Sequence, residues 1–138
     1  MTGLGIAFSA QAALGRNDLK GVRVAIQGAG MVGLGAAFRL SELGAIIHAV
    51  SDVNQSRYWE EGIPAEELLS SCAQHRDLSR ISTGKLLSRD DVFSADVDLL
   101  VLAASSYSVN REAVASVSAP WVVEGANMAF TRDGREAM

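Results

Sequence analysis

Apolar positions alternate and then change period across residues 21–52, GVRVAIQGAGMVGLGAAFRLSELGAIIHAVSD. Val22, Val24 and Ile26 are β-branched residues at a spacing of two, which predicts a strand over Val22–Gln27. After a cluster of glycines, Val32, Ala36, Leu40 and Leu43 recur at helical spacing, and Gly44 stands where a helix would stop. A helix over Gly30–Leu43 follows, and Ala45 to Ser51 reads as the next strand. Upstream, Thr2 can cap a helix over residues 3–15, with Gly3, Ala7 and Ala10 as a small packing face and Leu4, Phe8 and Leu14 as bulk. Gly15-Arg16-Asn17-Asp18 ends it.

Downstream the periodicity weakens before it returns. Ser51 to Gly62 is polar and reads as loop; Pro64 opens a helix over Ala65–Gln74, with Glu66 and Glu67 suited to its first turn. Residues 76–95 are mixed, with Asp90 or Asp91 starting a short helical turn. Asp98 to Ala103 (DLLVLA) is a continuous apolar run, the mark of a parallel strand buried on both faces. A loop over Ala104 to Val109 leads to Asn110, which can cap a helix over Arg111–Val117, and Trp121-Val122-Val123 is a last short strand. Strands alternating with helices predict an α/β fold with a doubly wound parallel sheet and right-handed crossovers. Ligands of such sheets sit beyond the carboxyl ends of the strands, where Asp52, Ala103 to Tyr107 and Asn127 would lie.

The glycines give that edge its chemistry. Gly28, Gly30 and Gly33 form a G-x-G-x-x-G between strand and helix, and Met31 and Val32 lie inside it. Gly28 permits the tight turn, Gly30 lets backbone approach a pyrophosphate, and Gly33 lets the helix lie close on the sheet. Unpaired N–H groups and the positive end of the helix dipole then face the phosphates. Asp52 follows the second strand near the ~20-residue offset at which an acid accepts ribose hydroxyls. The order strand, turn, helix, strand, acid points to a Rossmann-type NAD(P)-binding domain; the bland alternative is a βαβ turn with no ligand.

Composition narrows the possibilities. A chain of 138 residues with 49% hydrophobic content makes one core, so residues 1–138 are expected to form a single dinucleotide-binding domain. With 12 basic against 16 acidic residues and no basic run, nucleic acid is not an expected partner. Cys72 is the only cysteine, which argues for a reducing, cytoplasmic setting. The apolar stretch Gly3 to Leu14 lacks the basic flank of a signal peptide, and nothing is long enough to span a membrane. Cys72 and His75 share an i, i+3 spacing, but His48 is within a strand and no further cysteine exists, so no metal site is expected. Ser106 and Tyr107 read as loop residues, and Glu60-Glu61 and Asp90-Asp91 as solvated surface.

The segments TGLGIAFSAQAAL, KGVRVAIQGAGMVGLGAAFRL, AVSD, DVDLLVLAA and WVVEGAN together resemble the cofactor-binding domain of the glutamate/leucine/phenylalanine/valine dehydrogenases. That family oxidatively deaminates an L-amino acid to a 2-oxo acid and ammonia with a nicotinamide cofactor. The resemblance implies that Thr2 lies near the nicotinamide, that Gly28, Gly30, Met31, Val32 and Gly33 hold the pyrophosphate, and that Asp52 reads the adenosine ribose. It further places Ala103 and Ala104 beside the nicotinamide ribose and Asn127 on the nicotinamide side. Each of three has a bland counterpart: Thr2 as a helix cap, Ala103-Ala104 as close packing, Asn127 as a left-handed turn residue.

The chain departs from the family at several points. Ala29 and Met31 replace a common Phe and Asn, Leu102 a proline, Ser105-Ser106-Tyr107 an L-E-N, and Met128-Ala129-Phe130-Thr131 a G-P-T-T. The family's catalytic lysine and aspartate come from a substrate domain that no segment here resembles. The expectation is therefore an excised or truncated cofactor domain, inactive alone, with no catalytic residue of its own, from a homo-oligomeric parent that meets its amino acid only with the missing domain. NAD is the expected cofactor, since a carboxylate at Asp52 repels a 2′-phosphate, with NADP possible because Arg57 follows in the next loop. Two alternatives stay open: a non-catalytic NAD-binding or regulatory module, and an FAD-binding domain, whose signature the glycine segment also resembles.

Overall fold

The computed structural model describes residues 3–72, 77–104, 109–125 and 132–137. Its central strand is β1 (Arg23–Gln27), where the alternating pattern placed it. Before it runs α1 (Gly3–Leu14); after it come α2 (Met31–Glu42), β2 (Ile46–Ser51), β3 (Gln55–Ile63) and α3 (Ala65–Cys72). The chain continues through β4 (Lys85–Ser88), a 3-10 helix (Arg89–Ser94), β5 (Leu99–Leu102), α4 (Arg111–Ser116), β6 (Trp121–Glu124) and α5 (Arg132–Ala137). Among the described residues the strands form one sheet in the order β4-β3-β2-β1-β5-β6. The four strands β2, β1, β5 and β6 are mutually parallel, and β3 and β4 are added antiparallel at one side.

Side-chain alternation divides the core between the two faces of the sheet. Val24 and Ile26 of β1 and Leu99 and Val101 of β5 pack with Ile6 and Ala10 of α1, Leu34, Ala37 and Leu40 of α2, and Leu68 of α3. Ala25, Leu100 and Leu102 face the other way, onto Val92 and Phe93 of the 3-10 helix and, at its margin, Ala113 and Val114 of α4. All four residues of β5 are buried, as its unbroken apolar run requires. Helices on both faces of a mostly parallel sheet make the architecture Rossmann-type. No helix among the described residues is long and apolar enough to cross a membrane.

Three readings of the sequence need correction. The polar stretch after Ser51 is the antiparallel strand β3, whose buried Ser56, Trp59 and Ile63 are separated by polar residues on the exposed side. The mixed segment contains β4, an edge strand with Lys85 and Leu86 exposed, too short to show a period. Phe8 is not core bulk: it is 62% exposed, and the neighbouring Ile6 is buried in its place. The helical turn near Asp90 exists but begins at Arg89, capped by Ser88 and Asp91, which exchange backbone and side-chain hydrogen bonds. Asn110 caps α4 as its position implied, accepting from the Ala113 N–H at 2.9 Å. Residues 73–76, including Gln74 and His75, lie outside the described residues.

At the amino edge of the sheet Asp98 clamps β5 to β1. It accepts from the backbone N–H of Arg23 at 3.0 Å and from its guanidinium at 3.2 Å. Partial burial works against the ionised form, but the Arg23 N–H and guanidinium outweigh it and hold the Asp98 carboxyl below its ordinary 3.8. A depressed folded value stabilises the fold above the unfolded pKa and is lost as pH falls through the folded one. Urea midpoints should therefore decline below about pH 5 in the wild type, and Asp98→Asn should flatten that decline while lowering the midpoint at pH 7.

Candidate functional site

Three carboxyl ends of strands are stitched together where β1 stops. The Gly28 N–H donates to the Ser51 carbonyl of β2 at 2.9 Å, and the Ala103 N–H beyond β5 donates to the Gln27 carbonyl at 2.8 Å. Gly28 has φ +110, and a Cβ there would lie 2.9 Å from the backbone of Ala103 and Ala104, so both dihedral and space demand glycine. Gly33, one turn into α2, would drive a Cβ into the Gly28 carbonyl oxygen and to 2.9 Å from its carbon. Gly30 differs: it is the N-cap of α2 in an extended conformation, and a Cβ on it would meet nothing within 4 Å. Its open side is the space a pyrophosphate would need.

That space belongs to a cavity of about 540 Å³, inside the range of small-molecule sites. Gly28, Gly30, Asp52, Ala103 and Ala104 all line it. Met31, Val32 and Gly33 are not on its wall: Met31 is 72% exposed, Val32 packs against the core, and Gly33 sets the helix on the turn. What these three offer a ligand is main-chain N–H at the start of α2, where no preceding turn supplies acceptors. Thr2 and Asn127, and the 105–107 and 128–130 segments, lie outside the described residues.

Asp52 occupies the expected place but is already engaged. Its side chain is buried, the residue being 6% exposed. One carboxylate oxygen accepts from the N–H groups of Asn54 at 2.7 Å and Gln55 at 2.8 Å; the other accepts from the Leu78 N–H at 2.7 Å. A carboxylate has about four acceptor directions, so about one remains for a ribose hydroxyl.

The rest of the wall was not foreseen. Val53, 78% exposed, stands at the rim, Val92 and Phe93 form an apolar floor, and Arg89 and Asp90 add a cation and an anion. The Arg89 Nε donates to Asp90 Oδ1 at 2.9 Å, and this hydrogen bond with its attendant charge pairing raises the Arg89 pKa. Arg57 is absent from this wall: it lies in β3, and its Nη1 donates to the Thr83 carbonyl at 3.0 Å. Cys72 is fully buried below, and burial, followed by the nearby Asp77 and Asp52, pushes its thiol up to about 11. It is protonated and unreactive at neutral pH.

The whole chain, residues 1–138, matches the family model of the glutamate/leucine/phenylalanine/valine dehydrogenases. An NADP-specific glutamate dehydrogenase of Saccharolobus shibatae is 34% identical over 137 residues, 98% of this chain and 32% of that protein. An NAD-specific glutamate dehydrogenase of Clostridioides difficile is 29% identical over 142 residues, 98% of this chain and 34% of the relative. Among solved structures, the hetero-hexameric glutamate dehydrogenase of Thermus thermophilus in a leucine-bound form superposes with a TM-score of 0.81 at 32% identity. The match covers 97% of this chain and 32% of that one. The chain thus spans about a third of the length of the relatives it matches.

The latch at Asp52 is a stability element in its own right. Asp52→Ala leaves three backbone donors without their acceptor, that of Leu78 in a buried setting, and should destabilise the fold by about 3 kcal/mol in urea titrations; Asp52→Asn should retain part of this.

Proposed function

The chain belongs to the glutamate/leucine/phenylalanine/valine dehydrogenase family, and on that basis we propose that residues 1–138 are the nicotinamide-dinucleotide domain of an enzyme that oxidatively deaminates an L-amino acid. The products are a 2-oxo acid and ammonia. The observation that carries this reading is the glycine turn itself, with Gly28 and Gly33 packed to contact and Gly30 open toward a cavity of dinucleotide-compatible size. In the proposed pose the pyrophosphate lies over Gly28–Gly33, with its charge facing the N–H groups that open α2. The adenosine extends toward Asp52 and Val53, and the nicotinamide riboside toward Ala103 and Ala104.

When bound, a nicotinamide supplies two-electron hydride acceptance. The residues of this chain bind and orient it, and the apolar floor of Val92 and Phe93 keeps water from one side of the cavity. Lys20 and Lys85 are poor candidates for proton transfer. Lys20 precedes β1 at the amino edge, and Lys85 begins the edge strand β4 level with Tyr58 and Ala49 in the middle of the sheet; neither lines the cavity. The amino acid and the acid–base groups are proposed to come from a substrate domain facing this edge, in an oligomeric parent, working in the cytoplasm where the buried Cys72 stays reduced.

Two measurements test the proposal. Gly30→Val should fold, since its Cβ meets open space, yet should lose NADH binding at least about tenfold by calorimetry; Gly33→Ala should instead lose about 3 kcal/mol of stability. A folded Gly30→Val protein with unchanged NADH affinity would exclude the pose. The 138-residue chain alone should show no NAD- or NADP-dependent turnover of glutamate, leucine, valine or phenylalanine, because hydride transfer needs a substrate held against the cofactor. Steady turnover would contradict the assignment of chemistry to another domain.

A further inference from the structure

We infer that Arg89 receives the 2′-phosphate of a phosphorylated dinucleotide, so that this chain takes NADP(H) alongside NAD(H). The inference rests on the dinucleotide reading and adds to it the residue that sets cofactor choice. Its first support is topological. β3 runs antiparallel to β2, and β4 antiparallel to β3, so β4 points the same way as β2 and releases its carboxyl end at the cavity edge. The registers Ser51 with Ser56 and Gln55 with Ser88 place that end two strands from Asp52, and the Ser56 hydroxyl pins it by donating to the Ser88 carbonyl at 2.6 Å. Arg89 is the next residue, and it shares the cavity wall with Asp52 and Val53.

The second support is the state of the guanidinium. Asp90 engages Nε, and among the described residues neither terminal amino group of Arg89 has a hydrogen-bond partner. A planar fork held at one nitrogen and open at two others suits a phosphate, which accepts paired N–H bonds. Arg57, the cation closer in sequence to Asp52, is turned to the Thr83 carbonyl and does not compete.

The third support is the limited hold of the acid on a ribose. Asp52 favours NAD(H) by accepting ribose hydroxyls, and three peptide N–H groups already occupy its oxygens, which leaves about one acceptor direction for that purpose. Its charge still opposes a phosphate, as does that of Asp90 on the same wall, and Arg89 is the cation that offsets them. With Arg89 and Asp90 balanced against each other, neither cofactor should be excluded.

The test is calorimetric titration of the full 138-residue chain with NADH and, separately, NADPH, with circular dichroism to verify the fold of each variant. In the wild type the two dissociation constants should agree within about tenfold. Arg89→Ala should weaken NADPH by about tenfold or more, the loss of a charge-assisted pair, and move NADH by less than about threefold. Asp90→Asn should tighten NADPH selectively. Wild-type binding of NADH without NADPH overturns the inference and leaves the dinucleotide reading standing. So does an Arg89→Ala loss that is equal for both cofactors, which would assign the guanidinium to the shared adenosine. Failure of both cofactors to bind the folded wild type overturns the dinucleotide reading and this inference with it.

Discussion

The carboxyl edge of this sheet depends on how closely α2 approaches the turn beneath it. At Gly33 the helix touches the Gly28 carbonyl with no room for a single methyl group, and at Gly28 the turn in turn rests on the Ala103–Ala104 backbone. Interiors at this density do not absorb an added carbon by small shifts, so the two glycines fix the height of α2 above the strand ends. That height decides where the first N–H groups of the helix stand. Gly30 lies between two crowded neighbours and is itself uncrowded, which makes the open side of the turn a consequence of the crowded one.

A second fixed point lies one strand away. Asp52 closes the β2–β3 corner through Asn54 and Gln55 and holds the Leu78 backbone against it, so one carboxylate joins three segments. The groups that hold its side chain still also consume most of its acceptor capacity. The same hydrogen bonds that orient the side chain therefore leave it about one acceptor direction for any ligand. Position and available lone pairs are separate properties, and the sequence reports only the first.

The parts legible in the sequence are those whose period is strong or whose geometry is glycine-dependent. β1, α2, β2 and β5 came from spacing, and the roles of Gly28 and Gly33 from the steric logic of their motif, each matched by a contact in the structure. β3 escaped because its polar residues interrupt any alternation, and because the ladder skips His48, whose Nδ1 lies 2.8 Å from the Trp59 carbonyl, breaking the register on both sides. β4 escaped because an edge strand with exposed Lys85 and Leu86 carries no burial pattern to read. Missing these two strands meant missing Arg89, which owes its place to them, and it left Arg57 as the apparent cation because it is nearer in sequence. The hydrogen bond from the Leu78 N–H to Asp52 was also hidden, since nothing local links residues 26 positions apart.

The two antiparallel strands explain the division of charge across the sheet. A parallel strand normally needs a crossover helix to bring the chain back to the same edge, and such helices cover a face. Here β2 turns directly into antiparallel β3, and β3 reaches β4 by way of α3, which covers one face; the second reversal points β4 at the carboxyl edge again, where the next residues, Arg89 and Asp90, join the cavity wall. The opposite edge keeps the Arg23–Asp98 clamp and the start of β1, with Lys20 just before it. The chain thus puts a structural ion pair and Lys20 at one edge, and the glycine turn, Asp52 and Arg89 at the other. The sheet's direction, more than the proximity of residues in sequence, determines which charges a ligand meets.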